Sequence, residues 1–428
     1  MANKNIYFLL VLFGLLVSCQ DKVYETFRAN APVYLTYDDL RQSVRKTEVQ
    51  ELVNPGKIYF KDNFIFINEQ MKGVHIFDVS NPANPTNRGF IDIPGNVDIA
   101  IKGNMLYADS YVDMVVIDIS DVNSASEVAR MKDVFPYLVP EYDTDYPLAK
   151  VDEKKGVVTG WEVKLVKQEI ESRVYPIYYY NKAFEGGLID YATSNGGGAV
   201  SGNTVGVGGS MARFGLYQDR LYIVDEGTLY KFNISNLSNP VNLGKQSIGW
   251  NIETMFIYDS HMFFGTRNGM LVYSLEIADN PSYVSQFSHI TSCDPVVVQN
   301  NLVYITLRGG TVCGSNTNRL DVLRLSQDYS KTELLASYPM TGPYGLGIDD
   351  EVLFVCDGDA GLKVYNASDP YSIDKNKLAH FTGINTYDVI PLNDYLFMVG
   401  KDGFYLYDYS DLQKIQQIGV IPVINGGE

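Results

Sequence analysis

Short apolar runs, each closed by a polar pair, recur along the chain. They read GVHIFDVS (73–80), MVVIDIS (114–120), TLYKFNIS (228–235), MLVYSLEI (270–277), RLDVLRLS (319–326), GLKVYNAS (361–368) and FYLYDYS (404–410). The runs are nearly continuous in apolar residues, the pattern of a strand covered on both faces. A second β-rich run of the type x-L-Y precedes each one. Its aromatic residues are Phe66, Tyr107, Tyr222, Phe263, Tyr304, Phe354 and Phe397, spaced 41, 115, 41, 41, 50 and 43 apart. A unit of about 40–45 residues is the period of a four-stranded propeller blade, and the gap of 115 is one unit plus an insertion of roughly 70 residues. Within the second unit the order is NVDIAIKG, NMLYADSY, MVVIDISD, EVARMKDV: four β-rich runs between turns, strands a to d. Asn84-Pro85, Asn239-Pro240, Asn280-Pro281 and Asp369-Pro370 supply turns between strands c and d.

Seven such units fit between Lys57 and Val423. The expected fold class is therefore all-β, a single β-propeller of seven four-stranded blades over residues 57–423, since a closed ring leaves only short, protected sheet edges. Six or eight blades stay open if the insertion hides or replaces one. That insertion, 138–209, separates blades 2 and 3. It contains GWEVKLVKQEIESRVYPIYYYNKAF (160–184), which reads as a strand or hairpin. TSNGGGAVSGNTVGVGG (193–209) follows, and its composition predicts flexibility. A binding arm and a plain decoration are equally good readings. Residues 19–56 read as a tether, with a short helix in TYDDLRQSV (36–44), where Thr36 and Asp39 have capping-box spacing. Residues 424–428 read as a tail.

LYADSYVDMVVIDIS (106–120), LFVCDGDAGLKVYNAS (353–368) and the SNPANP turn resemble the LVIVD-repeat family of bacterial and archaeal surface proteins. CDPVVV (293–298) and LRGGTVCGSNTNRLDVL (307–323) resemble its Bacteroidota members. The resemblance implies a propeller at a cell surface. It implies no chemistry and carries over no functional residue.

The first residues suggest how the chain would reach that surface. IYFLLVLFGLLV (6–17) has the length of a signal-peptide core and is too short to span a bilayer. It ends in LVSC, which resembles the lipobox of bacterial lipoproteins, with Cys19 as the acylated residue after removal of 1–18. QDKVYE then resembles an acidic export tag of surface-exposed lipoproteins. The expectation is a lipid-anchored outer-membrane protein, surface-exposed, whose membrane contact runs through Cys19. Charge narrows the partners further. With 34 Lys and Arg against 51 Asp and Glu the chain carries −17. That balance disfavours nucleic acid and anionic headgroups. Cationic ligands, metal ions or neutral polar ligands are compatible with it, and the expected ligand is an unknown protein or glycan.

Signs of catalysis are sparse. The chain has four His (75, 261, 289 and 380), none in zincin spacing, and no GxSxG elbow or Walker loop. Each reads as structural. DGDAG (357–361) is similar to part of a calcium loop but sits where other units have a b–c hairpin. No cofactor and no metal is expected. Acids do recur at the start of strand a, on the face shared with the b–c and d–a loops: Asp98, Glu253, Asp294 and Asp388. They read either as caps for loop N–H groups or as a negatively lined channel mouth. Arg308, in the elaborated loop RGGTVCGSNTN, and Trp250 complete the candidate ligand face. Trp250 reads first as a core residue and second as an exposed stacking platform. Cys293 and Cys313, at adjacent positions of blade 5 on that face, are expected to form a disulfide, with Cys356 buried and reduced. The functional expectation is a non-enzymatic binding or scaffold module. A surface adhesin or glycan-uptake accessory is the alternative, and a propeller hydrolase or lyase the more distant one.

Overall fold

The computed structural model describes residues 24–169, 207–208, 213–288, 295–310 and 317–424. The chain divides into two compact units, residues 1–37 with 137–180, and residues 38–136 with 181–428. Cys19, Cys293, Cys313, Asp294 and His289 lie outside the described residues.

The larger unit is an all-β propeller of seven blades. Blade 1 shows the order. Strand a (Pro55–Lys61) pairs with b (Phe64–Glu69), b with c (Gly73–Asp78), and c with d (Thr86–Asp92), all antiparallel. Blades 2, 5, 6 and 7 are separate four-stranded sheets. Blades 3 and 4 share one sheet, because strand d of blade 3 runs without a break into strand a of blade 4 as Val241–Tyr258. Each innermost strand neighbours the next, and that of blade 7 (Thr386–Leu392) neighbours that of blade 1. Seven inner strands thus close one ring, which settles the blade number left open by the insertion.

Each blade is one stretch of chain, so the ring closes between two complete blades. Phe60 of blade 1 stacks on Phe397 of blade 7 with centroids 5.3 Å apart. Ile58, Ile65, Phe77, Ile390 and Leu406 are buried around them.

The recurring polar closure of strand c is an Asx turn. Asp78, Asp118, Asn233, Asn366 and Asp408 each accept, through the side-chain oxygen, the N–H of the Ser two residues on, at 2.8–3.0 Å. The intervening residue donates its own N–H to the a–b turn of the same blade. That bond recurs in all seven, from Val79, Ile119, Ile234, Leu275, Leu325, Ala367 and Tyr409. The a–b turns themselves need left-handed backbone, and Asp62, Gly103, Gln218, Asp259, Asn300, Asp350 and Asn393 supply it at φ of 48–57°. Mostly Asp, Asn and Gly fill the position because they tolerate that region best. Strand c with its polar exit is thus a buried strand pinned at one end by two local hydrogen bonds.

One expectation needs correction. Residues 19–56 are more than a tether. Arg45–Thr47 adds a strand to the outer edge of blade 1, and Tyr37–Leu40 forms the short helix. In the smaller unit, Tyr24–Leu35 pairs antiparallel with Val157–Glu169, so the strand expected in the insertion finds its partner in the supposed tether. Asn30 fixes that ribbon. It is buried, and its Nδ2 donates to the carbonyls of Asp143 and Tyr146, both at 2.8 Å. Trp161 donates its ring N–H to the Pro140 carbonyl at 2.8 Å. At the other end of the insertion, Val207 and Gly208 pair with the inner edge of blade 1.

Candidate functional site

The face carrying the strand-a starts is built from charged side chains that bridge blades. Asp98, at the head of strand a in blade 2, is buried. Its Oδ2 lies 2.6 Å from Lys57 Nζ of blade 1. The same oxygen accepts the backbone N–H groups of Arg213 and Phe214, which open blade 3, at 2.5 and 3.2 Å. One carboxylate therefore joins three consecutive blades. Beside it, Asp109 Oδ1 accepts N–H groups from Val97 and Asp98 at 2.8 and 3.0 Å and the Asn96 amide at 2.7 Å. Asn68 of blade 1 extends the chain of contacts, donating to Asn96 Oδ1 at 2.7 Å.

Burial sets the electrostatics of this cluster. Desolvation lowers the Lys57 ammonium to about 8, against the pull of Asp98. Desolvation likewise raises Asp109 to about 6, although two backbone N–H groups favour its charged form. A low-dielectric seam holding a cation between acids strengthens each pairing and makes each partner costly to remove.

The other candidate residues divide. Glu253 Oε1 accepts from Arg267 Nε at 2.8 Å, a pair within blade 4. Asp388 is buried in blade 7, with Oδ1 accepting the Val389 N–H at 3.0 Å. Arg308 lies with its guanidinium 4.1 Å from the centre of the Tyr344 ring, and desolvation lowers its pKa. Among the described candidates, the acids act as caps and ion-pair partners of the scaffold, and the negatively lined mouth is not what Asp98 and Glu253 form. Lys57, Arg213 and Arg267, which pair with these acids or with Asp225, are not among the candidate residues of the sequence. Their signal was weak: each lies within a few residues of a strand-a start or a b–c turn, but at a different offset.

Trp250 corrects a second expectation. It is 87% exposed, where the sequence favoured a core position. The reason is local. Gly249 at φ +158° and Asn251 at φ +53° flank it, bending the chain where strand d of blade 3 passes into strand a of blade 4. The side chain is thrust outward, a few residues from the Glu253–Arg267 pair.

The remaining singled-out residues are structural where described. His75 is buried, with Nε2 3.2 Å from Glu69 Oε2 and its ring edge-on to Phe90 at 4.7 Å. His261 stacks on Tyr329 at 3.8 Å, and His380 Nε2 lies 2.7 Å from the Ala360 carbonyl. Asp357 of DGDAG accepts the N–H groups of Thr341 and Gly342 at 2.9 and 2.8 Å and pairs with Lys363. Gly361 closes that hairpin at φ +88°, where a Cβ would lie 1.9 Å from the Phe381 carbonyl oxygen. Cys356 is a buried free thiol whose pKa burial pushes up.

Residues 56–92 and 95–133 match the LVIVD repeat, and the matches coincide with the first two blades. Blades 1 and 2 are similar to LVIVD repeats. The matched segments include Lys57, Asp98 and Asp109, so the charged seam joins one matched segment to the next. No curated protein sequence is similar to the chain. Solved structures similar to it include the computationally designed protein Ika8, 10% identical with a TM-score of 0.48, covering 89% of this chain and 92% of that one. BamB from Moraxella catarrhalis is 10% identical with a TM-score of 0.46, covering 90% and 98%. Sqt1 from Saccharomyces cerevisiae is 7% identical with a TM-score of 0.48, covering 94% and 90%.

Proposed function

We propose that this protein is a non-enzymatic binding or scaffold module, held at the cell envelope by a lipid on Cys19, which recognises its ligand on the strand-a face around Trp250. One observation carries the reading: Trp250, at 87% exposure, projects from a backbone fixed on both sides by strand pairing. A large, rigid aromatic surface on a stiff support is the usual anchor of a binding site. Arg267 and Glu253 beside it supply a polar border. The acids of this face hold scaffold groups together, which suits a rigid presenting surface. A sugar ring stacks on such a platform as well as an apolar protein side chain does, so the adhesin and glycan-uptake readings belong to the same surface.

Capture of partners from envelope extracts, with a glycan array alongside, tests the proposal with the mature protein and Trp250→Ala. Loss of an aromatic anchor is expected to weaken capture by about 2 kcal/mol, some thirtyfold. Undiminished capture by Trp250→Ala would overturn the site. Metabolic labelling with a clickable fatty acid tests the anchor, and label retained by Cys19→Ala would defeat it.

A further inference from the structure

The opposite face, made of a–b and c–d turns, joins its blades by a repeated device. The Tyr107 hydroxyl of blade 2 donates to the Leu237 carbonyl in the c–d turn of blade 3, at 2.8 Å. Tyr222 of blade 3 donates in the same way to Ala278 of blade 4 at 2.7 Å. At the next-but-one seam the donor comes from strand d instead of strand b: Tyr338 of blade 5 reaches the Pro370 carbonyl of blade 6 at 2.6 Å. Leu237, Ala278 and Pro370 hold one equivalent place, four residues beyond the residue that ends strand c.

Where the strand-b anchor is Phe, another ring takes over. Tyr329 stands 6.1 Å from Phe263. Tyr409 stands 4.9 Å from Phe354 and donates to Asp349 Oδ2 at 2.7 Å. At the ring closure Phe60 covers Phe397. Blade 1 departs from this rule. Its anchor is Phe66, the residue of blade 2 corresponding to Tyr409 is Ile119, and the carbonyl corresponding to Leu237 is that of Val122. At this seam lies a cavity of about 380 Å³, whose lining includes Phe64, Phe66, Ile119 and Val122, with Asn104 and Asp121 among its polar residues.

We propose that this cavity binds a phenol. The ring packs on Phe66 and Ile119, and its hydroxyl donates to the Val122 carbonyl, as the protein's own tyrosines do at neighbouring seams. The volume exceeds one ring, leaving room for whatever carries it. Two sources share that chemistry, a small phenolic compound and the tyrosyl side chain of a polypeptide. The site lies on the face away from Trp250 and stands whether or not that residue proves to bind a ligand.

Calorimetric titration of the mature protein with p-cresol and toluene tests the hydroxyl. Saturable p-cresol binding is expected, several-fold to about tenfold tighter than toluene, the worth of one net hydrogen bond. Phe66→Tyr would supply the hydroxyl internally and should reduce p-cresol affinity at least tenfold. Ile119→Tyr, which copies the device of blade 7, should do the same if Phe66→Tyr fails to fold. N-acetyl-tyrosinamide distinguishes the sources. If it competes with p-cresol the tyrosyl side chain fits, and if it does not a small phenol is the ligand; either result sustains the site. Toluene binding as tightly as p-cresol, no saturable p-cresol binding, or undiminished binding in a folded Phe66→Tyr or Ile119→Tyr protein would overturn it.

Discussion

The two faces of the propeller hold the same seven blades together in different ways. On the turn face, besides the tyrosine hydroxyls that cross some seams, the bonds are short-range and repeated within each blade: a left-handed a–b turn, an Asx turn in most blades and one backbone hydrogen bond. On the strand-a face the bonds are long-range and individual, as where Asp98 gathers Lys57, Arg213 and Phe214 from separate blades. Local bonds within one repeat act independently, whereas a shared buried carboxylate couples everything it touches. The difference predicts opposite responses to mutation.

The largest effect is expected at the coupled seam. Asp98→Ala leaves the buried Lys57 ammonium and two backbone N–H groups without their acceptor, and should cost about 3–5 kcal/mol in urea unfolding at pH 7. Adding Lys57→Met should recover a large part of that loss. Simple addition of the two single costs would refute the coupling. Next comes a pH effect. Folding raises Asp109 from its ordinary 3.8 to about 6, so the folded state binds this proton more tightly than the unfolded chain. The contribution from Asp109 is therefore full below about pH 4 and fades as pH rises through 6, by about 1–2 kcal/mol after solvent screening. Asp109→Asn should flatten that part of the stability–pH curve, and an unchanged slope would remove Asp109 as its source. The smallest effects belong to the turn face. Asp118→Ala and Asp408→Ala, in non-neighbouring blades, should each cost about 0.5–1.5 kcal/mol. Their double variant should lose the sum within about 0.5 kcal/mol.

The same contrast explains what was legible in the sequence. Blade number, strand order and the turn face follow from letters recurring at a fixed offset, because each serves a local geometric need within one repeat. Among the described residues the charged seam does not recur. Lys57 meets Asp98 only because strand a of blade 2 lies beside strand a of blade 1, and no spacing along the chain announces that pairing. The acids were visible as a set, but their cations were not, so the face read as more negative than it is. Tyr24–Leu35 escaped notice for a related reason: its partner, Val157–Glu169, lies across two blades of intervening sequence, and Pro32 breaks its strand-like appearance. Trp250 was misread because burial was inferred from residue type, while Gly249 and Asn251 decide where the ring points.

The way the ring closes has a mechanical consequence. Among the described residues, blades 7 and 1 meet through side chains such as Phe60 against Phe397 and through one backbone hydrogen bond, from the Ile424 N–H to the Leu52 carbonyl, and no strand of either belongs to the other's sheet. Force applied between residues 57 and 423 therefore peels an apolar contact apart instead of shearing a ladder of hydrogen bonds. Under tension the ring should open there first, leaving seven intact blades strung in a row, and it can snap shut again without rethreading a strand.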